Sequence, residues 1–222
     1  RVIFNGNGYS ADWIAEAARR GLPNLPSMVS SVPSLTTDKA VQLFGKFGVF
    51  TRVLDALAAK GRTFRIRHCT NSGALTRYPE MYLDMVRPGI ALYGVGDDAE
   101  RLGLRPVMSL KSSISTIKVF DPDTTISYGR TFRTAEKTRI GVLPIGYADG
   151  LSRLLTGKAS FYLQGHQVPV IGRICMDMCM IDVSGVPEAK PGDVVTIFGY
   201  DDDETLLPCE RLARAQGTIN YE

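Results

Sequence analysis

Thr138-Arg139-Ile140-Gly141-Val142-Leu143-Pro144-Ile145-Gly146-Tyr147-Ala148-Asp149-Gly150 reads as one strand that runs into a turn. The β-branched and aliphatic residues up to Ile145 fit a pleated, half-buried surface. The glycines at 146 and 150 then bracket a tyrosine, a context that exposes the ring rather than burying it. Comparable strand-like runs lie at 109–120, 159–163, 168–176 and 194–198. Asp121-Pro122-Asp123, Gln164-Gly165 and Pro191-Gly192-Asp193 supply the turns between them. Only 209–215 has a helical pattern here, so the chain from Met108 onward reads as a mostly β domain.

Upstream the texture is different. A helical pattern spans 12–20, with Trp13, Ile14, Ala17 and Ala18 on one face and Gly21 and Pro23 as the stop. Residues 22–35 read as loop, and a second helix is expected over 38–60, ended by Gly61. A strand at 64–67, a helical piece at 74–85 and a strand at 89–92 follow. Alternation at this spacing is the pattern of βαβ units with a parallel sheet. The expected organisation is α/β over residues 1–107, then β over 108–222.

Composition narrows the function classes. With 44% hydrophobic and 22% charged residues in 222, the chain is ordinary globular material and not a disordered tail. A net charge of +3 is too small to point to a nucleic-acid partner. No apolar run is long enough to span a bilayer, and no basic segment leads into an apolar one at the start, so a cytoplasmic protein is expected. Cys175 and Cys179 form a C-x3-C pair, but zinc needs two more soft ligands at similar spacing. His68 and His166 do not supply them, so no metal is expected and the four cysteines read as buried thiols in strands.

Five kinds of candidate carry chemistry-bearing residues, the tyrosine turns counting as one. Gly6-Asn7-Gly8-Tyr9-Ser10-Ala11 matches a dinucleotide fingerprint in form, but the acidic residue about 20 positions on is absent. Arg67-His68-Cys69-Thr70-Asn71-Ser72-Gly73 is a polar cluster between a strand and a helix. Two readings stay open for it: a phosphate held by Ser72 and the next helix's amides, or a core histidine beside a helix cap. Arg87-Pro88-Gly89-Ile90 is a surface charge or a ligand contact, with Gly89 permitting close approach. Tyr128, Tyr147 and Tyr221 sit in Gly- or Asn-rich turns. Met176 and Asp177 end the run 168–176, as a bland strand end or a pocket lining.

In their order, these motifs resemble alanine racemase, a family that uses pyridoxal 5′-phosphate (PLP) to interconvert L- and D-alanine. The matching stretches are His68-Cys69-Thr70-Asn71-Ser72-Gly73-Ala74, Arg87-Pro88-Gly89-Ile90-Ala91-Leu92-Tyr93-Gly94 and Ser127-Tyr128-Gly129. Pro144 to Gly150, Gly172-Arg173-Ile174-Cys175-Met176-Asp177 and Gly217-Thr218-Ile219-Asn220-Tyr221-Glu222 complete them. The likeness covers about 36–222; before that, only Arg1-Val2-Ile3-Phe4 resembles a family motif.

The resemblance implies a TIM-type (β/α) barrel, present here in part over 1–107, followed by the β domain. It also implies a homodimer with shared active sites, in which Tyr128 serves the cofactor held by the other subunit. By this likeness Arg87 contacts the pyridine nitrogen, which then stays unprotonated because a guanidinium does not readily yield a proton. Ser72, Gly89, Ile90 and Tyr221 hold the phosphate, and Asn71 supports that loop. Tyr128 is a catalytic base, with His68 as its hydrogen-bonded partner. Tyr147, Met176 and Asp177 shape the substrate pocket, Arg153 supports it, and Arg1 lies near the substrate carboxylate. The product would serve cell-wall peptidoglycan.

One family element is missing. The lysine that carries PLP lies in a Val-Lys-Ala-x-x-Tyr-Gly segment, which does not occur in this chain; Lys39 sits in Thr-Thr-Asp-Lys at a helix start. A fragment, a damaged frame or a decayed copy would give that pattern, and this chain alone is expected not to racemise. Two alternatives remain open: a serine racemase domain of a membrane-bound enzyme, and a non-catalytic PLP-binding remnant. Borohydride treatment of the chain with PLP is expected to label no single lysine; stoichiometric reduction onto one lysine would overturn the expectation.

Overall fold

The computed structural model describes residues 4–5, 28–29, 37–96 and 98–220. The helix expected at 12–20 and the glycine-rich stretch at 6–11 lie outside the described residues. The chain divides into two compact units, Arg1–Arg105 and Pro106–Glu222.

In the first unit, β1 (Phe4–Asn5) pairs in parallel with β2 (Met28–Val29), a strand set in the stretch read as loop. Helix α1 (Thr37–Ala58) follows. Phe50, Leu54 and Leu57 recur at helical spacing and are buried. Beyond it the Arg62 amide returns to the Leu57 carbonyl at 2.9 Å while Gly61 takes φ +70°, a left-handed stop. Phe50 and Leu54 share a core with Cys69, Ala74 and Met81.

Three expectations change in this unit. The strand at 64–67 is only an isolated bridge at Arg67, whose amide and guanidinium both bond to Asp84. The helix at 74–85 is α2 (Ser72–Arg77) and then a separate 3-10 turn, Pro79–Met81. Pro79 breaks it, because proline lacks the amide that would continue the ladder. The strand at 89–92 is a 3-10 turn, Ile90–Tyr93. The amides of Gly89 and Ala91 bond to the Ser72 side chain instead of to a neighbouring strand.

The second unit is an antiparallel sheet of eight strands. They are β3 (Leu110–Ser113), β4 (Thr116–Phe120), β7 (Thr138–Leu143), β8 (Ser160–Leu163), β9 (His166–Ile171), β10 (Cys179–Asp182), β11 (Val194–Tyr200) and β12 (Leu206–Leu207). The order is β12-β11-β8-β9-β10-β7-β4, with β3 also paired to β11. A separate hairpin joins β5 (Thr125–Ile126) to β6 (Phe132–Arg133). Helix α3 (Cys209–Gln216) closes on Gly217, close to expectation.

Gln164 and Gly165 both take positive φ and join β8 to β9 with Leu163 opposite His166, the two-residue hairpin that the turn pair predicts. The run 168–176 is shorter than read: β9 stops at Ile171, and a further strand, β10, starts at Cys179. Met176 and Asp177 therefore stand on a loop, not at a strand end. Alternation splits the buried residues between two clusters. Leu143, Phe161, Val168, Cys179 and Ile181 belong to one, and Ile140, Ile171 and Met180 to the other. Among the described residues no helix is long and apolar enough to cross a membrane.

Phe161 has no exposure and lies in the larger cluster. Phe161→Ala is expected to destabilise the protein by about 3–5 kcal/mol, measured by urea unfolding followed by circular dichroism. A change near zero would show that this cluster does not hold the sheet.

Candidate functional site

The site residues fall into two sets, one in each unit. In the first unit they lie around the start of α2. Asn71 is its N-cap, with Oδ1 accepting the Ala74 amide at 3.1 Å. Ser72 Oγ accepts two amides, Gly89 at 2.8 Å and Ala91 at 3.2 Å. Those bonds use its acceptor capacity and leave its own O–H as a donor. Ile90, between the two amides in sequence, opens the following 3-10 turn, where first-turn N–H groups lack partners within the helix.

Behind this loop the polar residues are dry. His68 and Thr70 are buried, and among the described residues neither His68 Nδ1 nor Thr70 Oγ1 has a hydrogen-bond partner. The Cys69 thiol donates to the Met81 carbonyl at 3.3 Å. The Arg87 amide donates to the Thr70 carbonyl at 3.2 Å, which ties the segment before Gly89 to the same loop. Burial, and then the Arg87 charge, hold His68 below its ordinary pKa. Cys69 is raised by burial against the opposing pull of Arg87.

A hydroxyl donor and a neighbouring first-turn amide are a donor set suited to a phosphate ester. These residues fit the phosphate end of PLP. The residues that would hold its aldehyde end are not among them.

In the second unit three loops meet at one end of the sheet. Tyr128 lies between β5 and β6 and is 70% exposed. The Ser127 hydroxyl donates to the Arg173 carbonyl at 2.7 Å, binding this loop to 172–178. Tyr147 begins a 3-10 turn whose amides reach the same loop: Tyr147 N–H to the Cys175 carbonyl at 3.0 Å and Ala148 N–H to that of Met176 at 2.9 Å. Gly146 permits this contact, since a Cβ there would overlap both carbonyls. Asp149 accepts the Gly146 amide at 2.9 Å and closes the turn. Arg153 stands 5.7 Å from the Tyr147 ring centre, a cation–π pair. Met176 and Asp177 are exposed on the central loop.

The structure thus gathers His68, Asn71, Ser72, Arg87, Gly89 and Ile90 in one unit, and Tyr128, Tyr147, Arg153, Met176 and Asp177 in the other. Arg1 and Tyr221 lie outside the described residues. Sequence reasoning gave no role to Ser127, Arg173 or Ala91, although each stood inside a quoted motif. The first signal was available in principle, since a serine before Tyr-Gly in a tight turn has a hydroxyl free to bridge loops.

Among the described residues no cluster of three ligating side chains occurs. Burial pushes the Cys179 thiol up to about 12 and Cys209 up to about 11, far from thiolate chemistry at neutral pH. Cys69 and Cys175 lie in loops and Cys209 in a helix, so only Cys179 fits the strand expectation.

The depressed His68 has a stability consequence. Below about pH 6.5 the unfolded chain takes up a proton that the folded one refuses, so stability is present above that value and falls as pH drops. Asp84, held at about 2 by its hydrogen bonds to Arg67, and Asp98 titrate below this window. Melting temperatures taken between about pH 7.5 and 5.5 are expected to fall less steeply in His68→Asn than in the wild type. Equal slopes would show that His68 is not the group responsible.

Residues 107–222 match the family described as alanine racemase, C-terminal domain. Residues 1–58 match a second one, the glutamine synthetase C-terminal domain, a likeness the sequence reading did not find. The chain is 47% identical over 180 residues to the alanine racemase of Desulfovibrio desulfuricans, covering 80% of this chain and 47% of that protein. It is 45% identical over 181 residues to that of Methanococcus maripaludis, covering 80% and 48%.

Among solved structures, alanine racemase from Bacillus anthracis with bound L-Ala-P superposes with a TM-score of 0.85 at 28% identity, over 99% of this chain and 60% of that one. The Clostridium difficile 630 enzyme in complex with cycloserine gives 0.82 at 34%, over 95% and 56%. The chain therefore spans about half the length of the relatives it matches. On the match over 107–222 and these identities, it belongs to the alanine racemase family.

Proposed function

We propose that this chain supplies the phosphate cradle and the tyrosine half of a PLP-dependent racemase acting between L- and D-alanine, whose product serves peptidoglycan synthesis in the cytoplasm. Residues 1–107 would form the C-terminal part of a (β/α) barrel, and the assembly would be a homodimer with shared sites. The observation that carries the reading is the Ser72 hydroxyl, pinned by the amides of Gly89 and Ala91 with its own proton left to give.

When bound, PLP would supply the electron sink that makes an amino acid's α-proton removable. The chain's own residues would do the rest. Ser72, Gly89, Ile90 and Tyr221 would hold the phosphate, with Asn71 fixing the loop through its cap on α2. Arg87 would face the ring nitrogen and keep it unprotonated. Tyr128 would hold or move the α-proton at its phenol oxygen on one face of the substrate. Its proton would be coupled to a neighbour, for which His68 is the candidate partner. Tyr147, Met176 and Asp177 would border the substrate, with Arg153 stacked against Tyr147.

The absent Val-Lys-Ala-x-x-Tyr-Gly segment favours a second reading, PLP binding without turnover by this chain on its own. Calorimetry is expected to show PLP binding, with pyridoxal far weaker. Ser72→Ala should weaken PLP at least ~10-fold, in line with a hydrogen bond to a charged group. Fused behind a lysine-bearing half from the D. desulfuricans relative, residues 59–222 should rescue a D-alanine auxotroph, and Tyr128→Phe should abolish rescue. Equal binding of PLP and pyridoxal would refute the cradle; rescue that survives Tyr128→Phe would refute the base.

A further inference from the structure

Ser127 has φ +65° and ψ −178°, a backbone region used almost only by glycine. A glycine there would relieve the backbone, so the serine side chain must account for its presence. Its hydroxyl donates to the Arg173 carbonyl at 2.7 Å and lies 3.7 Å from Cys175 Sγ. The facing loop is shaped to accept it. Gly172 has φ +63°, and a Cβ at 172 would stand 2.7 Å from the Ser127 Cβ and 3.3 Å from the Ile126 carbonyl oxygen.

The clamp continues on the other side of Tyr128. Gly129 has φ +72°, and a Cβ there would meet the Arg173 guanidinium carbon at 3.1 Å. One residue, Arg173, therefore meets the loop twice. Its carbonyl ties down residue 127 and its guanidinium covers residue 129. Between them Tyr128 is 70% exposed, so little of it is packed within this unit. Burial fixes most aromatic rings, whereas this one depends on its backbone.

We propose that Ser127 is a positioning residue for Tyr128: its hydroxyl, bonded to the Arg173 backbone, holds the chain in a glycine-like conformation that aims an exposed phenol. This rests on the reading of Tyr128 as a proton-transfer group and adds the device that places it. The serine accepts a strained backbone because a glycine in the same place would leave the loop untethered.

The test is 15N relaxation on the full chain. The Tyr128 and Gly129 amides should have order parameters near ~0.85 in the wild type and below ~0.6 in Ser127→Gly. The amides of β10 should stay rigid, and the melting temperature should hold or rise as the strain is released. Ser127→Ala, which removes only the hydroxyl, should give the same loss of order and serves if the glycine variant does not fold. Unchanged order at Tyr128 in either variant would overturn the proposal, as would a loss of order spread through β7, β9 and β10.

In the lysine-bearing fusion, Ser127→Gly should lower kcat ~10–100-fold with KM for alanine unchanged. A raised KM with normal kcat would contradict positioning. An inactive fusion that retains Ser127 would defeat the racemase reading while the relaxation result still decided the clamp.

Discussion

Strand β10 must be dry on both faces, and much of the second unit follows from that. Cys179 and Ile181 point into one cluster and Met180 into the other, so neighbours are required on each edge and layers above and below. Register with β7 runs from Cys179 opposite Leu143 to Asp182 opposite Ile140, and β9 takes the other edge. A slip of one residue would exchange the two faces and turn every buried side chain the wrong way. The loop that enters β10 and the loop that leaves β7 are therefore held at a fixed spacing. The contact of Gly146 with the carbonyls of Cys175 and Met176 is one result, and the hairpin of β5 and β6 is tied to the same loop by the bond from Ser127 to Arg173.

Much of this sheet was legible because its signals are local. Alternation in 159–163 and the Gln164-Gly165 pair define a hairpin without knowledge of the rest. β10 was missed because Cys179-Met180-Ile181 is a continuous apolar run, which shows no period when both faces are buried. In the first unit the strand expected at 89–92 failed for another cause. Ile90 to Leu92 is as apolar as a strand, but its flanking amides are claimed by a serine 17 residues earlier, a long-range bond no window contains. The six candidate residues around α2 were singled out through the order of their motifs. His68 and Thr70 could not be recognised as dry from residue type alone.

Helix α1 raises a separate point about chain history. The glutamine-synthetase-like match ends at residue 58, where α1 also ends, yet Phe50 and Leu54 from that match pack with Cys69, Ala74 and Met81 from beyond it. A hydrophobic stripe is an undemanding connector. An amphipathic helix with large apolar groups one turn apart can cover a neighbouring core whatever its origin, because burial is non-directional and depends on area. Beyond it come specific polar bonds, at Arg67, Asn71 and Ser72.

The turn at Gly146 divides its burdens unevenly. Position 146 admits no side chain, and Asp149 is committed to the Gly146 amide. Tyr147 itself is 41% exposed and stacks only loosely with Arg153. Its backbone amide, which any residue but proline carries, makes the bond to Cys175. The side chain at 147 can thus be exchanged while the frame around it stays in place, so this position is free to vary at almost no cost to the fold.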